Sequence, residues 1–182
     1  MVAYVIIPGI DGSDDQHWQS LWERESGPAA VRIAPASWSE PELTDWIAAV
    51  QRAYETARAQ DADGEVVLVA HSLGCWAAAA WLAAAPAVRG ALLVAPPDPQ
   101  VPAFPREAAA SFTGLTPQPL PCRAVVVGSS DDPYCTAETA EEYAAAWKAR
   151  WHLAGAGGHL NSASGLGSWP EGRELLDSLT AG

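Results

Sequence analysis

Apolar residues along this chain come in short, nearly unbroken runs, separated by stretches with a three-to-four-residue rhythm. The runs are Val2 to Ile7, a weaker one at Val31 to Ala34, Glu65 to Ala70, Gly90 to Ala95, Ala124 to Gly128 and Arg150 to Leu153. A strand with one wet face alternates polar and apolar positions, whereas a strand covered on both faces does not. These runs therefore read as parallel strands between two helical layers. The helical rhythm predicts helices over Asp15 to Glu25, Pro41 to Ala59, Leu73 to Ala84, Ala137 to Lys148 and Glu171 to Leu179. Ser39, with Glu42 three residues on, fits a capping box for the second helix, and Thr136 fits an N-cap for the fourth. Strand and helix in alternation predict an α/β fold of three layers, with right-handed crossovers and helices on both faces of a mostly parallel sheet of about six strands.

One stretch breaks the rhythm. Residues 96–121 hold 8 of the 15 prolines and no sustained period. The sheet pattern resumes directly afterwards, so this stretch reads as a Pro-rich loop or small cap inside a single domain covering residues 1–182. Such a loop is long for a compact domain, and long loops tend to shape binding sites.

Composition narrows the function classes. The chain carries 22 acidic residues against 10 Lys plus Arg, a net charge of −12. Such a surface repels phosphate backbones and flat anionic bilayers, so neither nucleic acid nor a membrane is an expected partner. The longest apolar stretch is well short of the roughly 20 residues that span a bilayer. The first residues, MVAYVII, lack a basic leader pattern and read as a strand. Cys75, Cys122 and Cys135 form no metal-ligand spacing and no disulfide framework, which makes a reducing, cytoplasmic setting the expectation.

The chemistry concentrates at Val66 to Gly74. Here a strand runs into Ser72, then Gly74, then an alanine-rich helix. This is close to the G-x-S-x-G elbow, in which a sharp turn raises a serine at the carboxyl end of a sheet. Such a turn needs small residues two before and two after the serine. Ala70 takes the first place, a departure from glycine, and Gly74 the second. The bland alternative is a serine capping a buried helix. The Leu73 N–H, at a helix start, is placed to meet a developing oxyanion. Histidine and acid partners are expected further along in the order serine, acid, histidine. Asp132, in Ser129-Ser130-Asp131-Asp132-Pro133 after a late strand, is the favoured acid, with Asp131 and Asp98 as alternatives and a turn role as the plain reading of each. His159, in the glycine-rich Gly155 to Asn161 loop after the last strand, is the favoured base. His71 is expected to point away from the serine, His17 to hold a surface or boundary position, and His152 to be structural. The first loop, Pro8 to Ser13, offers a second oxyanion donor, the N–H of Ile10 or of Asp11, with Ile10 preferred. Asp11, Trp18, Phe104 and Phe112, with Leu115, are candidates for the substrate wall, although core packing is the simpler role for any one tryptophan.

Several segments together resemble the family of small serine hydrolases typified by retinoblastoma-binding protein nine and the bacterial YdeN protein. They are PGIDGSDDQHWQSLWE at 8–23, VAHSLG at 69–74, SSDDPYC at 129–135 and GAGGHLNSASGLGSWPEG at 155–172. The resemblance implies an α/β-hydrolase with a minimal cap, strand order 2-1-3-4-5-6, and a triad at Ser72, Asp132 and His159. The L-x-C-x-E segment linked to pocket-protein binding in the eukaryotic namesake is absent, so that partner is not carried over. The expectation is a serine esterase acting on a small acyl substrate through an acyl-enzyme, with no metal and no organic cofactor. A thioesterase, a peptidase-like hydrolase and a non-catalytic binding module on the same scaffold are the alternatives.

Overall fold

The computed structural model describes residues 1–61, 64–84 and 87–181. Its strands are β1 (Val2–Ile7), β2 (Ala30–Arg32), β3 (Glu65–His71), β4 (Gly90–Val94), β5 (Arg123–Gly128) and β6 (Arg150–Leu153). Every pairing is parallel, in the order β2-β1-β3-β4-β5-β6. The helices are α1 (Trp18–Ser26), α2 (Leu43–Gln60), α3 (Leu73–Leu82), α4 (Ala137–Trp147) and α5 (Pro170–Thr180).

The unbroken apolar runs are explained by two cores on opposite faces of the sheet. Val66, Leu68 and Ala70 of β3 join Ala91 and Leu93 of β4 in a core closed by α2, α3 and α4. Their neighbours Val67 and Val69, with Leu92 and Val94, join a second core closed by α1 and α5. Successive side chains point to opposite faces, so a strand sandwiched this way has no polar position to spare.

Local features differ from the expected ones in three places. α2 is not capped by Ser39. Glu42 is the capping residue, its Oε2 accepting from the Asp45 N–H at 2.8 Å. The Leu43 N–H is taken by Ser111 Oγ at 2.9 Å, from the Pro-rich stretch. α1 begins at Trp18, because Asp14 Oδ1 accepts from the N–H groups of Gln16 and His17 and holds a turn where helix was expected. β2 is shorter and earlier than Val31 to Ala34, its register set by Tyr4 opposite Ala30. Thr136 does cap α4, accepting from the Thr139 N–H at 3.2 Å.

Residues 96–121 form turns and one short 3-10 segment, Ala110–Phe112. Phe104, Ala109 and Phe112 are buried in the core shared with α2 and α3, and Pro97 O accepts from Trp76 Nε1 at 2.8 Å. Among the described residues, no helix is long and apolar enough to cross a membrane.

Candidate active site

Loops leaving the carboxyl ends of β1, β3, β4, β5 and β6 meet above the sheet, the usual position for a site in an open parallel sheet. Ser72 lies between β3 and α3 with φ 55° and ψ −129°, a conformation that costs a non-glycine residue free energy and persists only where the surroundings enforce it. Two contacts enforce it. The Ser72 N–H donates to Val94 O at 2.8 Å, and Gly74 lets α3 approach β1 so closely that an added Cβ would overlap the carbonyl oxygens of Ile7 and Pro8. Gly9 has the matching role in the first loop, where a Cβ would sit 2.8 Å from Ser72 Cβ and 3.2 Å from Oγ.

His159 stands over the serine with Nε2 2.8 Å from Ser72 Oγ. Its Nδ1 lies 3.0 and 2.9 Å from the two carboxylate oxygens of Asp132, whose side chain is 2% exposed. Neither alternative acid touches the imidazole. Asp131 accepts from Ser129 Oγ and the Gly158 N–H, both at 2.7 Å, and so fastens the loop that carries His159. These two bonds hold its carboxyl below the usual aspartate range. Asp98 accepts from the Gln100 N–H at 2.8 Å and Tyr143 OH at 3.2 Å. The His159 loop turns at Gly155 and Gly158, both at positive φ, and Trp18 Nε1 and Trp22 Nε1 tie it down by donating to Leu160 O and Ser168 O at 2.9 and 2.7 Å.

The N–H groups of Leu73 and Ile10 have no protein acceptor among the described residues, while that of Asp11 is engaged by Trp38 O at 2.8 Å. Of the two first-loop donors considered from sequence, only Ile10 is therefore free to meet a ligand. A cavity of about 540 Å³ opens over Ser72, with Leu73, Ile10, Asp11, Phe104 and Tyr134 in its walls. Trp18 and Phe112, expected in that wall, are elsewhere. Trp18 stacks edge-on with Trp22 and Trp169 beneath the His159 loop, and Phe112 packs on Trp46 in the opposite core. Leu115 lines a separate groove beside Trp76.

The ring of His71 bonds the His159 carbonyl and not Ser72. It lines the cavity beneath His159, its Nε2 2.9 Å from His159 O, so Nε2 must carry the proton. His17 is 3% exposed rather than superficial, in edge contact with His71 at 4.7 Å between centroids. His17 Nδ1 accepts from the Gln19 N–H at 3.1 Å, which leaves the proton on Nε2, a buried atom with no partner. Burial pushes His17 down to about 4 and His71 well below the ordinary histidine range, so both rings are neutral near pH 7. Nothing local in the sequence marks His17 as buried, since the Asp14 turn only sets α1 to begin at the next residue, Trp18. His152 pairs with Glu171 at 2.7 Å, away from the cavity. All three cysteines are free. Burial raises the Cys75 thiol far above its ordinary value, and Cys75 Sγ donates to Val94 O at 3.3 Å. Among the described residues, no three His, Cys, Asp or Glu side chains converge as a metal site requires.

A six-stranded parallel sheet in this order, with helices on both faces and a serine on a strained strand-to-helix turn, defines an α/β-hydrolase. A YdeN-like hydrolase from Pectobacterium atrosepticum matches with a TM-score of 0.83 and 28% identity, over 99% of this chain and 91% of that one. YdeN of B. subtilis matches at 0.79 and 22%, over 98% of each chain. Esterase 2 of Thermogutta terrifontis, solved phosphonylated by cyclosarin, shares the fold at 0.68 and 17%, over 97% of this chain and 81% of its own. No curated protein sequence matches. The family model described as serine hydrolase matches residues 4–178, and the chain belongs to that family.

Proposed function

We propose that this hydrolase is a serine esterase that cleaves short acyl esters through an acyl-enzyme on Ser72. The observation that carries the reading is the unbroken contact from Ser72 Oγ through His159 to the buried Asp132, with two free N–H groups beside the same cavity. In the proposed mechanism, His159 Nε2 takes the proton from Ser72 Oγ as it attacks the ester carbonyl carbon. The carbonyl oxygen becomes an oxyanion between the N–H groups of Leu73 and Ile10, each worth about 3 kcal/mol by comparison with known donors. The tetrahedral intermediate collapses, the C–O bond to the alcohol breaks, and His159 returns the proton to the leaving oxygen. Water then gives a proton to His159 and attacks the acyl carbon, the acyl–Oγ bond breaks as Oγ takes that proton back from His159, and the acid leaves with Ser72 as it began. Asp132 holds the imidazole with its proton on Nδ1 and stabilises the imidazolium at each transfer.

The cavity supports a small substrate. About 540 Å³ holds a short acyl chain and a modest alcohol. Pro97, Ala103, Phe104 and Pro105 bring the 96–121 segment over it as a minimal cap within one domain. The name of the Thermogutta neighbour agrees with an esterase, and its modification by a phosphonate agrees with a nucleophile of this type. The test is a p-nitrophenyl ester series from acetate to palmitate. The expected result is a kcat/KM maximum at short chains and loss of turnover in folded Ser72→Ala. A maximum at long chains, or turnover of thioesters or amides alone, would overturn the esterase assignment.

A further inference from the structure

The cavity above Ser72 has an uneven charge lining. No lysine or arginine is among its described lining residues, although Asp11 and Asp14 both are, each exposed at the rim. Apart from His159, which takes its proton only in the reaction, the histidines of the lining are His17 and His71, both buried and uncharged. Two arginines come near the walls, Arg106 next to Pro105 in the chain and Arg32 through its charge on His17, and both are committed elsewhere. Arg32 Nε donates to Glu23 at 2.7 Å and Arg32 Nη1 to Ser13 O at 3.0 Å, and Arg106 Nη2 donates to Pro99 O at 2.8 Å.

Asp14 is also fixed in place. Its Oδ1 accepts from Ser162 Oγ at 2.7 Å, which joins the first loop to the His159 loop across the rim, and from the Gln16 and His17 N–H groups at 2.9 and 3.1 Å. The Ser162 hydroxyl, then the Gln16 amide, hold its carboxyl below the ordinary value, so the charge is permanent near neutral pH. A substrate anion entering here would meet two carboxylates and the field of a chain carrying −12, with no lysine or arginine among the described lining residues to receive it. The reaction then adds an oxyanion of the same sign.

Resting on the esterase reading above, we propose that this site sorts acyl substrates by charge. It takes uncharged and cationic short acyl esters and rejects anionic ones, among them acyl groups carried on phosphorylated thiols. A cleft lined by one sign of charge concentrates ligands of the opposite sign and depletes those of its own, by roughly tenfold or more at low ionic strength.

Two matched pairs of p-nitrophenyl esters test this. One pair has a butyrate chain ended by trimethylammonium or by its uncharged isostere, tert-butyl. The other has glutarate against its uncharged isostere, glutaramate. The expected order of kcat/KM at low salt is cation at or above its isostere, and glutarate about tenfold or more below glutaramate. Added salt and Asp11→Asn should each narrow both gaps, since asparagine accepts the positive φ of 64° at that position. Butyryl-N-acetylcysteamine should likewise be turned over faster than butyryl-coenzyme A. Glutarate equal to or faster than glutaramate, with the uncharged esters turned over normally, overturns the charge selection and leaves the esterase reading standing. No turnover of any of the four esters overturns the esterase reading and this inference with it.

Discussion

Replacing Gly74 with alanine puts the link between fold and site under direct strain. The new Cβ would overlap Ile7 O and lie 2.5 Å from Pro8 O. Both are backbone atoms of the strand and loop that α3 packs on, so neither can swing aside like a side chain. Relief requires α3 to retreat from β1 by on the order of an ångström, and a gap of that size forfeits roughly a quarter to a half of each affected dispersion contact. α3 is buried along nearly its whole length through Leu73, Cys75, Trp76, Ala77, Ala78, Trp81 and Leu82. Overpacking of this kind costs about 3 kcal/mol, or about 6–12 °C in Tm for a chain of this size. The same movement carries the Leu73 N–H and Ser72 away from His159, and a misplacement of about 1 Å at a reacting group can cost about 100-fold in rate. Gly114, with nothing within 4 Å of its added Cβ, is the control. Thermal melts and kcat/KM on p-nitrophenyl butyrate provide both readings. Gly74→Ala as stable and as active as Gly114→Ala would refute the claim that close approach of α3 to β1 sets the serine.

Three further outcomes follow from the same geometry. Asp132→Asn should lower kcat by about four orders of magnitude, because an amide facing Nδ1 favours the wrong tautomer of His159. Asp98→Asn should stay near wild type, since among the described residues the Asp98 carboxylate bonds Gln100 and Tyr143 and not His159, and the reverse pattern in steady-state kinetics would move the acid to Asp98. For the buried histidines the folded-state value lies below the unfolded one, so their neutral burial stabilises fully above pH 6.5 and loses ground as pH falls below it, for His17 toward about 4. His17 alone accounts for about 3 kcal/mol over that window, and a Tm profile from pH 7 to pH 4 that shows no fall attributable to His17 on comparison with His17→Asn contradicts the assignment. At the same position, asparagine keeps an acceptor where Nδ1 caps α1, and glutamine keeps a donor near Nε2. If the unpartnered N–H steadies His71 and through it the His159 carbonyl, His17→Gln should retain kcat better than His17→Asn while melting lower. Equal kcat in the two variants counts against that role.

Much of the fold was legible because burial on both faces leaves a plain mark. The runs at Val2 to Ile7, Glu65 to Ala70 and Gly90 to Ala95 lie within a residue of β1, β3 and β4, and the order β2-β1-β3-β4-β5-β6 matches what the family resemblance implies. β2 was less legible, being an edge strand of three half-buried residues, where pairing with β1 and not periodicity sets the limits. One bond at the start of α2 was out of reach for a different reason. Glu42 caps the helix locally, but the Leu43 N–H is met by Ser111, 68 residues away, only after the Pro-rich segment has folded back. Ser72, Asp132 and His159 were readable as candidates because an elbow, an acidic loop and a glycine-rich loop each have a local signature. Trp18, Phe112 and His17 have none. Whether an aromatic ring faces a cavity or a core is decided by which helix lies over which strand. A histidine at a helix start looks superficial until the neighbouring strand supplies His71 against it.

The most direct test of the central claim is the intact mass of the protein after exposure to a fluorophosphonate, with wild type beside Ser72→Ala. The account expects one phosphonyl adduct on wild type and none on the variant. A folded wild type that takes up no label, or a Ser72→Ala protein that takes up as much, would contradict an activated nucleophile at Ser72.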